Sequence, residues 1–304
     1  MAISRHQLVK ELEPGLNALF GLEYKRYDNQ HAEIYTSESS DRAFEEEVML
    51  SGFGNASVKS EGSGVAFDNA QESYSARYTH ETVALAFAIT EEAIEDNLYD
   101  RISSRYTKAL ARSMSNTKQV KAAAPLNNGL PSVDGFDSGD GVSLFNTSHT
   151  TVSGTSVKNT LSTQADLNET SLEQAMIDIS GMTDERGLRI AAKAVKMIVP
   201  SANQFAAERL MKSQGRVGTA DNDINALGSM GMIPQGYRVN NFLTDTDSFY
   251  IITDVPNGMK MFTRAPLTTA MEGDFDTGNV RYKARERYVF GFSDPRGVFG
   301  SNAT

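Results

Sequence analysis

One stretch in the first half of the chain has the clearest helical pattern of apolar and polar positions. Between Thr90 and Lys121, apolar or small residues recur in steps of three and four, which places them on one face of a helix. They are Ile94, Leu98, Ile102, Tyr106, Ala109, Ser113, Thr117 and Val120. Thr90 can cap the start of this helix, and Pro125 is expected to end it. About 32 residues at ~1.5 Å each would span roughly 48 Å, so the pattern predicts a beam across an extended subunit, with an ordinary core helix as the alternative.

The first 36 residues contain too few apolar positions to form a core of their own. Two short apolar runs are interrupted by Glu13, Pro14 and Gly15. Because proline and glycine both disfavour a continuous helix, the pattern predicts two short amphipathic pieces. Each piece would need a surface to lie on.

Residues 37–89 predict a long two-stranded excursion from the body of the protein. Most of this stretch is rich in Gly, Ser and acidic residues, with short β-like pieces around Val58 and 65–67 and an apolar alternation over 74–78. Residues 83–89 are predicted to form a more buried strand that leads directly into the long helix. An isolated hairpin of this length is marginally stable in water, so its partner is expected to be another molecule, with a mobile surface hairpin as the alternative.

The chain after the long helix predicts a loop region over 126–165 and then a mixed block of helices and strands. The block comprises a helix over about 169–185 followed by Gly187, a strand at 195–199, a helix that starts at a Ser201 and Gln204 capping box and ends before Gly215, and strands around 237–239 and 249–253. Turns are predicted at 256–258 and 265–266. The order of elements shows no βαβα alternation and no internal repeat, so the pattern indicates an α+β fold.

The last long element is predicted to be one regular strand with two different faces. Val280, Tyr282, Ala284, Glu286, Tyr288, Phe290 and Phe292 share one face, and Arg281, Lys283, Arg285 and Arg287 share the other. Successive side chains of a strand point to opposite sides, so the first face is predicted to be packed and the second to be positively charged. The aligned cations could meet phosphate or acidic groups of neighbouring subunits, and a solvated charged face is the alternative.

Composition narrows the class of protein. With 304 residues, of which 39% are hydrophobic, the chain can bury a substantial globular core. Its net charge of −10 argues against a protein whose main task is to coat nucleic acid, although local basic faces remain compatible with it. The absence of cysteine excludes disulfides and thiolate sites. No apolar run has the length of a membrane span and no secretory signal is present, so a soluble cytoplasmic product is expected.

No catalytic, cofactor or metal site is predicted. The histidines His6, His31, His80 and His149 are scattered, and none has metal-ligand spacing with another. No phosphate-binding loop and no GxSxG elbow occur, and residues 274–278 lack the ligands of a calcium loop. His149 beside Ser148 could suggest nucleophilic catalysis, but a hydrogen-bonded loop histidine is the expected role.

The elements and several local strings resemble the major capsid proteins of tailed phages with the Hong Kong 97-like fold, most closely the Mu-like major head subunit branch. The strings are FAITEEAIEDNLYDR, LFNTSHT, MIVPSANQFAAERLMKS, TDTDSFYIITD and TGNVRYKARERYVFGFSDPRGVFGS. They occur in family order, and none is specific by itself. The resemblance implies an N-terminal arm over 1–36, an extended E-loop over 37–82, a peripheral domain over 83–125 that contains the spine helix, an axial domain over 126–270, and a closing strand of the peripheral domain over 271–304.

The resemblance also implies the function. It indicates a structural protein, without enzymatic activity or cofactor, that self-assembles into pentamers and hexamers of an icosahedral head around a double-stranded DNA genome. Such a protein would be made in the cytoplasm of the host bacterium and reside in the virion. A portal and a decoration protein are implied partners, DNA is contacted only non-specifically, and no membrane is involved. The arm begins within a few residues of Met1, whereas some relatives carry a cleaved scaffolding segment before it, so a separate scaffolding protein is expected.

Candidate intersubunit contacts come from the hairpin and the closing strand. They are Lys59, Glu45, Glu46, Glu47, Arg281, Lys283, Arg285 and Arg287. Some family members cross-link an E-loop lysine to a neighbour's asparagine, and Lys59 lies in the corresponding region, although a solvated lysine is the commoner role. The basic face is expected to meet acidic groups such as the 45–47 run more than phosphate. The alternatives are an encapsulin-type shell around a cellular cargo and a soluble α+β enzyme.

Overall fold

The computed structural model describes residues 5–90, 92–93, 99–130, 136–216, 223–274 and 278–302, excluding the side chains of 5–12 and 99–102. The helices of this described part are α1 (Arg5–Arg26), α2 (Tyr99–Asn127), α3 (Glu169–Ser180), α4 (Gln204–Lys212) and α5 (Ala226–Met230). The strands are β1 (Thr36–Ser39), β2 (Phe44–Leu50), β3 (Glu72–Thr79), β4 (Glu81–Ile89), β5 (His149–Thr150), β6 (Ser156–Val157), β7 (Ala194–Val199), β8 (Tyr237–Val239), β9 (Phe249–Thr253), β10 (Met259–Gly273), β11 (Val280–Phe292) and β12 (Val298–Ser301). This mixture confirms the predicted α+β class.

The first body of the fold consists of one sheet and the two long helices. Its strands lie in the order β1, β10, β11, β4, with β1 parallel to β10 and the other neighbours antiparallel. One face of the sheet is covered by α1 and α2, where Leu110 and Met114 form an apolar cluster with Tyr282 and Ala284. The alternation predicted for the closing strand is confirmed, since buried and outward positions follow one another from Val280 along β11.

The long helix α2 buries a different face from the predicted one. Its buried positions are Ser103, Thr107, Leu110, Ala111, Met114, Ser115, Gln119, Ala122, Ala123, Pro125 and Leu126. Tyr106 and Val120 of the predicted stripe are 54% and 50% exposed, about a third of a turn away from the buried face. The prediction is wrong because much of the buried face is small or polar and carries no clear apolar signal. Ile94 and Leu98 lie outside the described residues, as does the side chain of Ile102.

The ends of this helical region agree with the sequence at one end only. The Oγ1 of Thr90 accepts a hydrogen bond from the N–H of Ala93 at 3.4 Å, as expected of a cap. Pro125, however, does not stop α2, which continues to Asn127. A proline in the last turn removes only one backbone hydrogen bond, and the complete burial of Leu126 offsets that loss.

The first helix is continuous and does not consist of two pieces. It passes through Pro14 and Gly15 without interruption. Beyond them, Leu16 and Phe20 are buried against α2. This tertiary packing outweighs the local cost of proline and glycine, which is about 3 to 4 kcal/mol in a helix interior. The surface that this segment was predicted to need is therefore supplied by the same chain.

The second body is built around a sheet in the order β12, β9, β7, β8. Its core includes Leu172, Met197, Phe249, Ile251 and Phe299, all at 0% exposure. Asn168 caps α3 by accepting from the N–H of Ser171 at 2.8 Å, and the Ser171 side chain accepts from the N–H of Asn168 in return. The strands predicted at 195–199, 237–239 and 249–253 are confirmed, as is the end of α4 before Gly215.

Two boundaries of helices in the second body differ from prediction. Helix α3 ends at Ser180, because Met182 turns into the core, and Gly187 lies in the following turn with a φ of 84°. Ser201 and Gln204 do not form a capping box, since Ser201 begins a separate 3-10 turn ahead of α4.

Strand β10 also departs from the sequence prediction. The turn expected at 265–266 is absent, because both residues lie inside β10. The register between β10 and β11 shifts there, and such an irregularity tolerates a proline that cannot donate to the ladder. The predicted turn near Asn257 is present, with a φ of 60° at that residue.

Candidate assembly surfaces

Apolar side chains are concentrated on the outside of the hairpin formed by β2 and β3. The strands pair antiparallel, from Phe44 opposite Thr79 to Leu50 opposite Glu72, and residues 51–71 between them contain no strand. The β-like pieces predicted near Val58 and 65–67 are therefore absent. Exposed apolar residues of this segment are Phe44, Val48, Leu50, Phe53, Val58, Val65 and Phe67, of which Val58 and Phe67 are 98% and 97% exposed. Apolar side chains concentrated in one exposed segment indicate an interaction surface.

The base of the hairpin is fixed to the body by two tyrosines, Tyr74 and Tyr78. The alternation predicted over 74–78 is confirmed, since Ala76 and Tyr78 are buried and the residues between the predicted positions are exposed. Tyr78 packs on Phe262, and its ring lies over Gly291, where an added Cβ would be 2.6 Å from the ring. The Tyr78 hydroxyl bonds to the hydroxyl of Ser293, and the Tyr74 hydroxyl donates to the Ser293 carbonyl at 3.3 Å. Burial raises the pKa of both tyrosines above the ordinary value, so both hydroxyls keep the proton that they donate.

A buried ionic cluster also holds the hairpin base. Arg296 is 7% exposed, and its Nε donates to Asp294 at 2.8 Å while its guanidinium lies 3.5 Å from Glu185. Glu185 accepts in turn from the hydroxyl of Ser73 on β3 at 3.3 Å. This cluster joins the hairpin, the turn after α3 and the segment between β11 and β12. Sequence reasoning missed it, because its members are scattered along the chain and form no motif.

The predicted contact residues of the hairpin differ in their availability. All three glutamates have partners within the chain: Glu45 accepts from Ser40, Glu47 binds Lys260 and Ser293, and Glu46 forms an exposed ion pair with Arg77. Glu46 points outward, 3.7 Å from Arg77 on the adjacent strand. Lys59 is exposed at the tip. Glu46 and Lys59 are therefore the members of this set that face outward most freely.

The four cations of β11 lie together on the open face of the first sheet. Arg281, Lys283 and Arg285 are exposed and Arg287 is half-buried. The neighbouring edge strand β4 places Ala88, Ala86 and Ala84 opposite the first three, so the cations stand above a floor of small side chains. Strand β4 was predicted to be buried, but only its last residue, Ile89, is, because β4 forms the edge of the sheet. Arg281 forms an ion pair with Asp274, and the other three have none with a described residue.

The opposite face of β11 carries a buried charge pair that the sequence did not reveal. Glu286 is 2% exposed, and its Oε2 lies 3.2 Å from Nζ of Lys118 on α2. Burial raises the pKa of Glu286, although Lys118 acts in the opposite direction. Strand alternation placed Glu286 on the packed face, but no pattern indicated its partner 168 positions earlier.

The described histidines have structural partners. The Nδ1 of His149 lies 2.7 Å from Asp140, and its Nε2 lies 3.2 Å from both the Leu144 carbonyl and the Asn159 side chain. This buried arrangement agrees with the predicted hydrogen-bonded loop histidine. Within the described ranges, no group of three or more His, Cys, Asp or Glu is arranged to hold a metal ion. No helix in the same ranges combines the length and apolar content that a membrane span requires.

The chain belongs to a family of phage capsid proteins, whose profile matches residues 73–301, more than half of the sequence. No curated protein matches the sequence. The match covers the second sheet, the first sheet except β1, the long helix and nearly all of strand β3 at the hairpin base.

Several solved shell proteins share the fold. They include the procapsid of bacteriophage JBD30 (TM-score 0.52, 13% identity, covering 99% of this chain and 77% of that one), the capsid of Myoviridae phage XM1 (0.51, 11%, 89% and 89%), and a virus-like particle from Pyrococcus furiosus (0.51, 11%, 94% and 98%). At such identities the likeness shows the fold alone, which is the predicted Hong Kong 97-like one. Together with the family, it makes this protein a capsid shell subunit, structural and non-enzymatic, that assembles with copies of itself.

Proposed function

We propose that this protein is the major capsid subunit of a tailed phage of the Mu-like branch and that it encloses a double-stranded DNA genome. The observation that carries the proposal is the exposed apolar tip of the hairpin, in which Val58 and Phe67 are almost fully exposed. Burial of apolar surface contributes about 25 cal/mol per Å². The tip gains little of this from its own chain, so a neighbouring subunit is the surface on which it would be buried.

The parts of the subunit follow the family pattern in this proposal. The arm is residues 1–36, the E-loop 37–82, the peripheral domain 83–125 with the closing strand 271–304, and the axial domain 126–270. Two strands cross these bounds and so connect the two domains. Strand β10 begins at Met259, within 126–270, but pairs in the first sheet, and β12 lies within 271–304 but pairs in the second sheet. The subunit forms hexamers and pentamers, with a separate scaffolding protein, a portal and a decoration protein as partners. It is made in the host cytoplasm.

Deletion of residues 52–64 tests the role of the hairpin tip. None of these residues contributes to an apolar cluster of the described structure, so the deleted subunit should fold normally. Shells should not form, because the intersubunit contact is lost. Circular dichroism and thermal unfolding measure the first outcome, and particle counts by electron microscopy measure the second. Unfolding of the subunit, or normal shells, would contradict the proposal.

The basic face of β11 is proposed as a second intersubunit contact, with acidic groups of a neighbour's hairpin. Glu46 is the member of the acidic run that faces outward most freely, and Lys283 and Arg285 are its matching cations in this proposal. Opposite charges across an interface guide association and fix its register. Charge reversal of Lys283 and Arg285 should reduce the yield of empty shells, most strongly at low salt, where repulsion is least screened. Sedimentation of the variant and of the original protein at two ionic strengths measures this. A variant that gives as many empty shells as the original protein at both ionic strengths would exclude the contact.

A second candidate function is a shell that encloses a cellular cargo protein. The similarity to the virus-like particle from Pyrococcus furiosus, which covers 94% of this chain, supports this second candidate. The two functions differ in the contents of the particle. Absorbance at 260 and 280 nm and nuclease-protected DNA in purified particles distinguish them: a genome supports the phage head, and protein cargo without DNA supports the alternative.

A further inference from the structure

The long helix carries a second basic surface, on which three of the five cations form no ion pair with a described residue. Residues 103–121 contain five cations and no acidic residue, in a chain with 39 acidic and 29 basic residues. Lys118 and Lys121 form ion pairs with Glu286 and Glu81. The other three, Arg105, Lys108 and Arg112, are exposed and form no ion pair with a described residue.

These three residues form a compact stripe on one side of α2. Their spacing of three and four places them within about 60° around the helix axis and spreads them over roughly 10 Å along it. The exposed neighbours Ala109, Ser113 and Asn116 are small or uncharged. Nothing in the described chain covers the stripe, and its unpaired cations repel one another, which makes an external polyanion a favourable partner.

The stripe and the basic face of β11 lie on opposite sides of the first body. Leu110 and Met114 attach α2 to the packed face of the sheet through Tyr282 and Ala284. The cations of β11 alternate with those packed residues and point to the other side. A closed shell has one inner surface, so at most one of the two basic surfaces can face enclosed DNA.

We propose that Arg105, Lys108 and Arg112 line the lumen of the shell and bind phosphates of the enclosed duplex DNA, an inference that rests on the proposed function. Duplex DNA carries one negative charge per ~1.7 Å of axis, and lysine and arginine bind it without regard to sequence. The basic face of β11, called the sheet face below, is the weaker candidate for the DNA contact because acidic residues lie beside its cations. Asp274 pairs with Arg281, and Glu272 lies opposite Arg281 in the neighbouring strand.

Lysine reactivity tests the proposal, because each basic surface contains one lysine. Lys108 reports on the stripe and Lys283 on the sheet face. Free subunits, empty shells and DNA-filled heads are treated with acetic anhydride, a small reagent, and acetylation is quantified by mass spectrometry. Lys108 should react several-fold more slowly in filled heads than in empty shells, while Lys283 should react equally in both.

The outcomes separate this inference from the function on which it rests. Particles without DNA would refute the proposed function itself. Filled heads in which Lys108 remains as reactive as in empty shells would refute only the inference, and protection of Lys283 by DNA would transfer the DNA contact to the sheet face. Strong protection of Lys108 already in empty shells would overturn the inference in favour of a protein partner.

A variant provides an independent measurement on the soluble subunit. The triple substitution Arg105→Gln, Lys108→Gln and Arg112→Gln should reduce the slope of log affinity for a short DNA duplex against log salt by about 2.7, since each phosphate contact contributes ~0.9. The matched control, Arg189→Gln with Lys193→Gln and Arg209→Gln in the second body, removes the same charge from exposed positions. Equal slopes for the two variants would contradict the proposal.

Discussion

The second body and the hairpin contain the same kinds of apolar residue with opposite burial. In β9, Phe249 and Ile251 are completely buried on the side of α3, and Tyr250 is buried on the other side with Phe145. In the hairpin, Phe67 is 97% exposed. The difference lies in the layers: β9 has a packed layer on each side, while no described residue of the chain forms a layer over the hairpin tip. Apolar composition alone therefore does not determine burial.

This difference assigns two tasks to two sets of residues. A buried aliphatic or aromatic side chain of the core contributes about 1.5 to 3 kcal/mol to the stability of the subunit. An exposed one contributes almost nothing until a neighbour covers it. Substitutions in the core should thus act on unfolding, and substitutions in the hairpin should act on assembly.

The largest effect is expected from a charge placed on the buried face of α2. Leu110→Asp should abolish soluble subunit, because an unpaired buried carboxylate costs several kcal/mol, comparable with the whole stability of a domain. Tyr106→Asp, one turn earlier on the exposed face, is the control and should leave a stable protein. Soluble yield and urea unfolding measure both. Similar behaviour of the two variants would mean that the buried face of α2 is assigned incorrectly.

The same substitution of phenylalanine in the two regions tests the comparison most directly. Phe249→Ala should lower the free energy of unfolding by about 3 to 5 kcal/mol, since it removes a fully buried ring and leaves a cavity. Phe67→Ala should change it by less than about 0.5 kcal/mol. Urea unfolding followed by circular dichroism provides both values, and a destabilisation of more than 2 kcal/mol by Phe67→Ala would break the comparison.

Acid should weaken the first body, in which His31 is buried. Burial, together with the nearby Lys118, lowers the pKa of His31 from 6.5 to about 4. The unfolded chain therefore binds this proton first, so the stabilisation is complete above pH 6.5 and is lost as the pH falls towards 4. The loss should amount to roughly 2 to 3 kcal/mol. Urea midpoints at pH 7 and pH 4.5 measure it, and His31→Gln should show a smaller difference between the two.

The sequence predicted long regular elements well and their packing less well. Alternation in β11 identified both faces correctly because six of the seven predicted packed positions are buried and Phe290 is half-buried. The stripe of α2 was misplaced because the buried face contains Ser103, Thr107 and Gln119, which are polar and give no apolar signal. Gln119 accepts from the N–H of His31 at 3.0 Å. Such partners lie far apart in the chain, so no local pattern contains them.

The candidate surfaces were predictable to a similar degree. The unusual composition of 37–82 identified the hairpin. The alternate spacing of the cations in β11 identified the open face of that strand. All three glutamates proposed as contacts have intrachain partners, which the sequence could not indicate because Glu47, for example, meets Lys260 and Ser293 only through the positions of β10 and β11. The ionic cluster of Arg296 with Glu185 could not be predicted either, because its members come together only in the folded chain.

The smallest effect on stability, and a large one on assembly, is expected from polar substitutions at the hairpin tip. Val58→Ser together with Phe67→Ser changes two side chains that are 98% and 97% exposed, so the free energy of unfolding should stay within about 0.5 kcal/mol of the original. If a neighbouring subunit buries both side chains, each contact in a shell loses several tenths of a kcal/mol to a few kcal/mol, and this loss is repeated at every subunit. The yield of shells should then fall steeply while the subunit remains folded. Ile177→Ser on α3, also exposed at 62%, is the matched control and should assemble normally. Light scattering during assembly measures the yield, and shells formed by the double variant at the normal rate would show that the apolar tip contributes nothing to the contact between subunits.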